Sequence, residues 1–236
     1  MSRIIERAAS VLLTLCCLGV AIALIHREFW TSRQRAANSE HPPELLPDWR
    51  ELVTAGTSIG SPGAAVTVIE FADFECPYCR RADSLFRIVT AKFPRQIDVV
   101  YVHFPITGHR FARPAARAAE CAATQGRFAA MHDLLFDKQD SLGLKTWASY
   151  ADESGVPDMP RFNECVESTD DIPHLAAGIA AGNKIHVTGT PTIIVDGWRY
   201  FRPPDQAELT AAVQGPFRQH KPARTATREL GGRATR

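Results

Sequence analysis

The chain of 236 residues has no second C-x-x-C, no H-x-x-x-H and no internal repeat. A structural zinc site normally draws its ligands from two short-spaced pairs, so the single C-x-x-C lacks the partner that a closed metal site needs. A surplus of one charge is missing too, since 27 Lys and Arg face 26 Asp and Glu, a formal net charge of +1. With that balance, and no basic run interleaved with aromatics in the central region, nucleic acid is not an expected partner. Apolar character is not lacking: 45% hydrophobic against 22% charged residues is enough for a real core, in one large domain or two small ones.

Long apolar runs are absent except at the start. Residues 8–25 are apolar or small, preceded by Arg3 and Arg7 and followed by His26, Arg27 and Glu28. About 18 residues at roughly 1.5 Å rise just span a bilayer's hydrocarbon layer, so residues 1–30 read as an uncleaved signal anchor. The rival is a cleaved signal peptide, because Ala21-Ile22-Ala23 resembles a small-x-small cleavage site. Leu24 and Ile25 prolong the run beyond that site and favour the anchor. Leu15 is too bulky for the residue before a lipoprotein cysteine, and Arg27, Arg33 and Arg35 balance the N-terminal positives, so charge does not set orientation. Both readings export the domain, either anchored in the inner membrane with its catalytic part in the periplasm or extracytoplasmic space, or released there.

Residues 31–56, with Pro42, Pro43 and Pro47, read as a linker, and residues 215–236 as a basic disordered tail with Glu229 as its single acid. Weak attraction of that tail to anionic lipid is the alternative. Between them lies one domain, residues 57–214. Val66-Thr67-Val68-Ile69-Glu70-Phe71 has strand character, Pro77 suits the first turn of a helix that Phe93-Pro94 ends, and residues 97–104 form a second strand. That β-α-β unit implies two parallel strands with a right-handed crossover. Residues 108–187 then change to helical periodicity, too long for a connection and so an inserted helical subdomain. Strand character returns at Thr192-Ile193-Ile194-Val195, turns at Asp196-Gly197, continues over residues 198–201 and ends in a helix from Pro204 to about Val213.

The six cysteines divide by context. Cys16 and Cys17 lie in the apolar run and read as small apolar residues. Cys76 and Cys79 stand at a strand-to-helix junction, where unpaired N–H groups and a partial positive charge favour the Cys76 thiolate. Cys76 is then the attacking nucleophile, and Cys79, one turn on, resolves the mixed disulfide. A metal site or an inert pair is the competing reading. Cys121 and Cys165 fall in the helical insertion.

With those residues in place, the sequence resembles the DsbA-like family of thioredoxin-fold thiol-disulfide oxidoreductases, especially its exported bacterial members. The resemblance is carried by Val66-Thr67-Val68-Ile69-Glu70-Phe71-Ala72-Asp73-Phe74-Glu75-Cys76-Pro77-Tyr78-Cys79, by block 118–136 with Cys121 and His132, and by Val187-Thr188-Gly189-Thr190-Pro191-Thr192. It implies an α/β thioredoxin-like fold with the helical insertion where this family carries it. It also implies a cis-proline loop at Thr190-Pro191, with an ordinary trans proline as the alternative, and a substrate groove lined by Pro77, Tyr78, Thr190 and Pro191. Glu70 matches the family's buried acid, which takes the proton from Cys79; an exposed edge-strand glutamate is the alternative. The second strand lacks the lysine that some relatives pair with that acid and has His103, read as structural, as are His109 and His132. Cys121 and Cys165 match a structural disulfide of some members, with unpaired buried thiols as the rival.

The function implied is protein-disulfide oxidoreductase activity on exported unfolded or thiol-containing proteins, as a disulfide-donating oxidase. It needs no cofactor beyond the redox-active Cys76–Cys79 disulfide, and a membrane redox partner resets the dithiol. The linker is too short for the dimerisation domain that related isomerases carry, so a monomer is expected. The alternatives are a reductase or isomerase, or a non-enzymatic thiol-based metal or peptide binding module.

Overall fold

The computed structural model describes residues 42–215, together with residues 13, 16, 18–23 and 26. The chain divides into two compact units, residues 1–44 and 45–236. In the first, the described residues 13, 16, 18–23 and 26 are helical, and Leu13, Leu18, Val20 and Ile22 are exposed. Among the described residues, no helix is long and apolar enough to cross a membrane. The rest of the apolar run 8–25, the first part of the linker and the basic tail lie outside the described residues.

The second unit is built on a mixed sheet. Strands β1 (Glu44–Leu45), β2 (Thr57–Ser58), β3 (Val66–Ala72), β4 (Ile97–His103), β5 (Thr192–Val195) and β6 (Trp198–Tyr200) lie in the order β1-β6-β5-β3-β4-β2. Strand β3 is covered on both faces, which is why its sequence runs apolar without alternating. It pairs in parallel with β4, Val66 opposite Ile97 and Ala72 opposite His103, and antiparallel with β5, Glu70 opposite Ile193. The parallel pair requires a crossover, supplied by helix α2 (Pro77–Lys92). The β5–β6 hairpin turns on Asp196 and Gly197, both at positive φ (46° and 91°), the twist that a two-residue turn needs. Gly197 is required twice over, because a Cβ there would sit 2.4 Å from the Trp49 ring.

Successive strand residues point to opposite faces, and this parity sorts the core. Val66, Val68, Val99, Ile193 and Val195 pack under α2 and the last helix, α8 (Gln206–Gln214). Ile69, Phe71, Val100, Val102 and Ile194 face the other way, onto Trp49, Leu52 and Ala55 around the one-turn helix α1 (Arg50–Val53) and onto Ala177 and Ala181. The expected linker therefore ends early: Trp49 and Leu52 are large apolar residues that find a sheet face to cover, so the packed chain begins near Leu45.

Helices α3 (Ala112–Ala123), α4 (Phe128–Asp137), α5 (Trp147–Glu153) and α6 (Met159–Glu167) close over a third cluster containing Phe74, Tyr101, Met131, Leu135, Phe136, Tyr150 and Phe162. Helix α7 (Pro173–Lys184), expected within the insertion, lies on the sheet instead. A Cβ on its Gly178 would come within 2.5 Å of the His103 carbonyl oxygen, an approach that only glycine permits. The final helix starts two residues later than expected because Asp205 caps it reciprocally with Glu208.

Candidate active site

Cys76 has extended backbone (φ −76°, ψ 119°) as N-cap of α2, and Pro77, which has no N–H to leave unpaired, occupies the first turn. The turn is set by Cys76 N–H donating to the Asp73 carbonyl (3.0 Å) and by Cys79 N–H donating to the Cys76 carbonyl (3.1 Å). Gln139 closes the other side, its Nε2 donating to the carbonyls of Phe74 (2.7 Å) and Cys76 (3.0 Å). Cys79, one turn on, is wholly buried, whereas Cys76 keeps 4% of its surface and Tyr78 stands out at 59%. Both cysteines carry free thiols in this structure.

The bond between Thr190 and Pro191 is cis, and the Thr190 carbonyl accepts the Cys76 Sγ hydrogen at 3.3 Å. The sequence-predicted pairs 76–79 and 190–191, far apart in the chain, thus meet at one point. The Cys76 thiol is held down to about 5, chiefly by a hydrogen bond from the Cys79 side chain. Burial opposes this, and Thr190 together with the N–H groups of Cys79 and Tyr78 adds to it. The Thr190 hydroxyl is buried without a partner in the thiol form, so it is available to the thiolate. Burial pushes the Cys79 thiol the other way, far above its ordinary value, and the bond it gives to Cys76 and the charges of Glu70 and Cys76 raise it further. One motif therefore contains an acidic sulfur and a sulfur that stays protonated.

Strand parity sends Glu70 to the same face as Val66 and Val68, beneath α2. It is fully buried on an interior strand and neither carboxylate oxygen has a hydrogen-bond partner. Burial raises its pKa well above the usual carboxylate range, and the charges of Asp83 and Cys76 raise it further. His103 is not its partner: His103 Nε2 lies 2.9 Å from Glu120 Oε1, within the ring cluster of Phe74, Tyr101 and Phe128.

Several neighbours escaped the sequence reading. Asp83 is buried on α2, its pKa raised by burial, and pairs with Arg87 at 2.9 Å. Tyr101 is buried with an unpartnered hydroxyl. His132, expected to be structural, has its Nδ1 3.0 Å from Asp133 and its Nε2 buried and unpartnered. Asp83, His132 and Asp133 bring three ligand-type atoms within 4.8 Å, but the Arg87 guanidinium, 2.9 Å from Asp83 and 3.5 Å from Asp133, already supplies the positive charge there. An i,i+4 Asp-Arg pair one turn after Cys79 was the only available signal for this group. Cys121 and Cys165 are joined to each other (Sγ–Sγ 1.98 Å, Cα–Cα 5.8 Å), tying α3 to α6.

A helix-capping acidic cysteine, its buried partner and an adjoining cis-proline loop are the features of thiol-disulfide exchange, and comparison with known proteins agrees. Residues 53–215 match the family model described as Thioredoxin. The chain belongs to the thioredoxin family. Within it the fold is DsbA-like. A thioredoxin-like oxidoreductase from Silicibacter pomeroyi is 29% identical with a TM-score of 0.57, covering 69% of this chain and 94% of that one. BdbD from Bacillus subtilis, 21% identical over 69% of this chain and 92% of its own, superposes with a TM-score of 0.61 and shares the fold. A Salinispora tropica protein named Na(+)/H(+) antiporter NhaA 3 is 39% identical over 155 residues, 65% of this chain. The chain spans about a quarter of the length of that relative (24%).

Proposed function

We propose that the protein exchanges disulfides with exported proteins in the direction that donates its own Cys76–Cys79 disulfide. The observation that supports this direction most is the acidity of Cys76, held down to about 5, because a stable thiolate is a good leaving group and favours the reduced enzyme. In the forward reaction a substrate thiolate attacks Cys76 Sγ, the Cys76–Cys79 bond breaks, and Cys79 leaves with the electron pair. Burial disfavours that charge, so Cys79 takes a proton, for which the buried, protonated Glu70 is the donor. A second substrate thiolate then attacks the substrate sulfur of the mixed disulfide and Cys76 departs as thiolate. The substrate has lost two electrons and the enzyme has gained them.

Pro77, Tyr78, Thr190 and Pro191 line the substrate groove in this reading, and the exposure of Tyr78 beside the buried sulfur supports it. The Cys121–Cys165 disulfide supports work in an oxidising compartment such as the periplasm. Residues 8–25 hold the domain at the membrane, where a membrane redox partner accepts its electrons, and the protein acts as a monomer. In the antiporter-named relatives we read the matched quarter as an oxidoreductase domain joined to a transport protein, and no transport is assigned to this chain.

Equilibration with glutathione tests the direction. The expected potential lies far above the roughly −270 mV of thioredoxin, toward the roughly −120 mV of the strongest oxidants, with stoichiometric oxidation of a reduced unfolded substrate. A potential at or below thioredoxin's makes the protein a reductase. Protease accessibility of the domain in intact spheroplasts tests the location.

A further inference from the structure

The loop after β4 reaches back and grips the loop that delivers Cys76. The Asp73 carboxylate, its side chain fully buried, accepts from the N–H of Glu75 (2.8 Å), the N–H of Ile106 (2.8 Å) and Nδ1 of His109 (2.7 Å). The same residue's carbonyl accepts the Cys76 N–H. Glu75 repeats the clasp, its Oε2 accepting from Phe111 N–H. A buried carboxylate held by two amides and one imidazole carries an uncompensated charge unless the imidazole is protonated. His109 itself is about a third exposed (31%), so its outer edge reaches water while its inner edge is fixed on Asp73.

The motif has no cation of its own. Pro77 and Tyr78 separate the cysteines, Arg80 is turned to Asp140 at 3.0 Å, and the Arg81 guanidinium lies over the Tyr78 ring at 5.2 Å. Asp73 is three residues before Cys76 in one hydrogen-bonded turn, so a cation fixed on Asp73 is fixed relative to the Cys76 sulfur. The charges that act on His109 are those of Asp73, which it contacts, and of Glu75 and Cys76, with Arg110 next to it directed over the Phe111 ring. We propose that protonated His109, held by Asp73, is a charge partner of the Cys76 thiolate, a positioning residue that adds to the hydrogen bonds of Cys79 and Thr190 in stabilising that sulfur as thiolate. Burial works against protonation of His109, and is outweighed by the Asp73 bond and by the charges of Asp73, Glu75 and Cys76. The inference rests on Cys76 being the nucleophile.

Coupling between two titrating groups is reciprocal: the thiolate must raise the imidazole's affinity for its proton by the factor by which the imidazolium lowers the thiol's. When the dithiol becomes a disulfide the negative charge vanishes, and His109 must become more acidic. The test uses the full chain, reduced and oxidised. In the wild type, mass mapping after limited alkylation first establishes which thiol reacts; labelling of Cys79 ahead of Cys76 overturns the nucleophile assignment itself. Alkylation rates against pH are then compared with His109→Gln and His109→Lys. The Gln variant is expected to react roughly three- to tenfold more slowly between pH 5 and 6, and the Lys variant to recover the wild-type rate. A Gln profile that superimposes on wild type, or a Lys profile that follows Gln, overturns the proposal. The imidazole titration of His109, followed by NMR in both redox states of the unsubstituted protein, needs no variant. Identical curves in the two states overturn it as well.

Discussion

Two carboxylates near the motif illustrate how environment divides roles among like residues. Asp73 is buried but accepts three hydrogen bonds, while Glu70 is buried and accepts none. An unpaired buried carboxyl is costly to keep, so its retention beneath Cys79 fits a proton-transfer role better than a packing role. Its folded pKa is raised above that of the unfolded chain. Wild-type stability associated with this group is thus full below about pH 4.5 and is lost as pH rises through the folded value. Glu70→Leu is therefore expected to unfold at higher urea concentration than wild type, by roughly 1–3 kcal/mol at pH 8, with the gap closing toward pH 4.5. The same variant should resolve mixed disulfides more slowly, as seen by quenched-flow trapping. A pH-independent gap would mean that the folded structure does not raise the Glu70 pKa. Cys79→Ser supplies the complementary test: the Cys76 thiolate still attacks a substrate disulfide and releases one substrate thiolate, and with no resolving sulfur the mixed disulfide should accumulate on non-reducing gels when the variant meets oxidised substrates.

Among elements, the strands and helices were legible where one physical signal dominated: β-branched runs for β3 and β5, and helical periodicity for α4 and α6. The redox pair was legible because a C-x-x-C ahead of a helix needs no tertiary information. What could not be read was where α7 packs, because Gly178 looks like a flaw in a helix until the His103 carbonyl is placed against it. His109 was also out of reach as a site residue, since only the loop after β4 brings it to the motif, and Asp83, one turn after Cys79 on α2, offered no signal beyond its i,i+4 pairing with Arg87. Gly178→Ala puts a Cβ 2.5 Å from His103 O and 3.1 Å from His103 N, both backbone atoms that cannot turn aside. It should cost about 1–3 kcal/mol in urea unfolding. Loss of the Cys121–Cys165 link, in a Cys121→Ala, Cys165→Ala double variant, should cost about 4 kcal/mol by the chain-entropy estimate for a loop of 44 residues. The Cys76–Cys79 potential should be unchanged, because that link ties α3 to α6 and neither helix carries the motif. A large shift in potential would show that the insertion tunes the motif.

Across the whole molecule, the acidity of one sulfur links redox state to folding. The folded Cys76 titrates at about 5 against 9.0 for an ordinary thiol. Because this value is depressed, its stabilisation of the dithiol form is full above about pH 9 and is lost as pH falls toward 5. Cys79 is raised, so its contribution is full below pH 9.0 and declines only above it, outside that window. The carboxyl of Glu70 titrates in both redox forms and to first order drops out of the difference between them. Between pH 5 and 8, then, the stability of the dithiol form relative to the disulfide form rises with pH chiefly through Cys76, offset in part by the coupled titration of His109. Paired urea unfolding of the two forms at pH 5, 6.5 and 8, with the Cys121–Cys165 bond intact, measures that difference. The expected result is a gap that moves in favour of the dithiol form at each step upward in pH. By the thermodynamic cycle, whatever stabilises the folded dithiol makes the folded disulfide a stronger oxidant, so the same gap should reappear as a rise in reduction potential relative to the unfolded chain. A gap that stays constant over this range would place the folded Cys76 pKa above it and remove the physical basis for a disulfide donor.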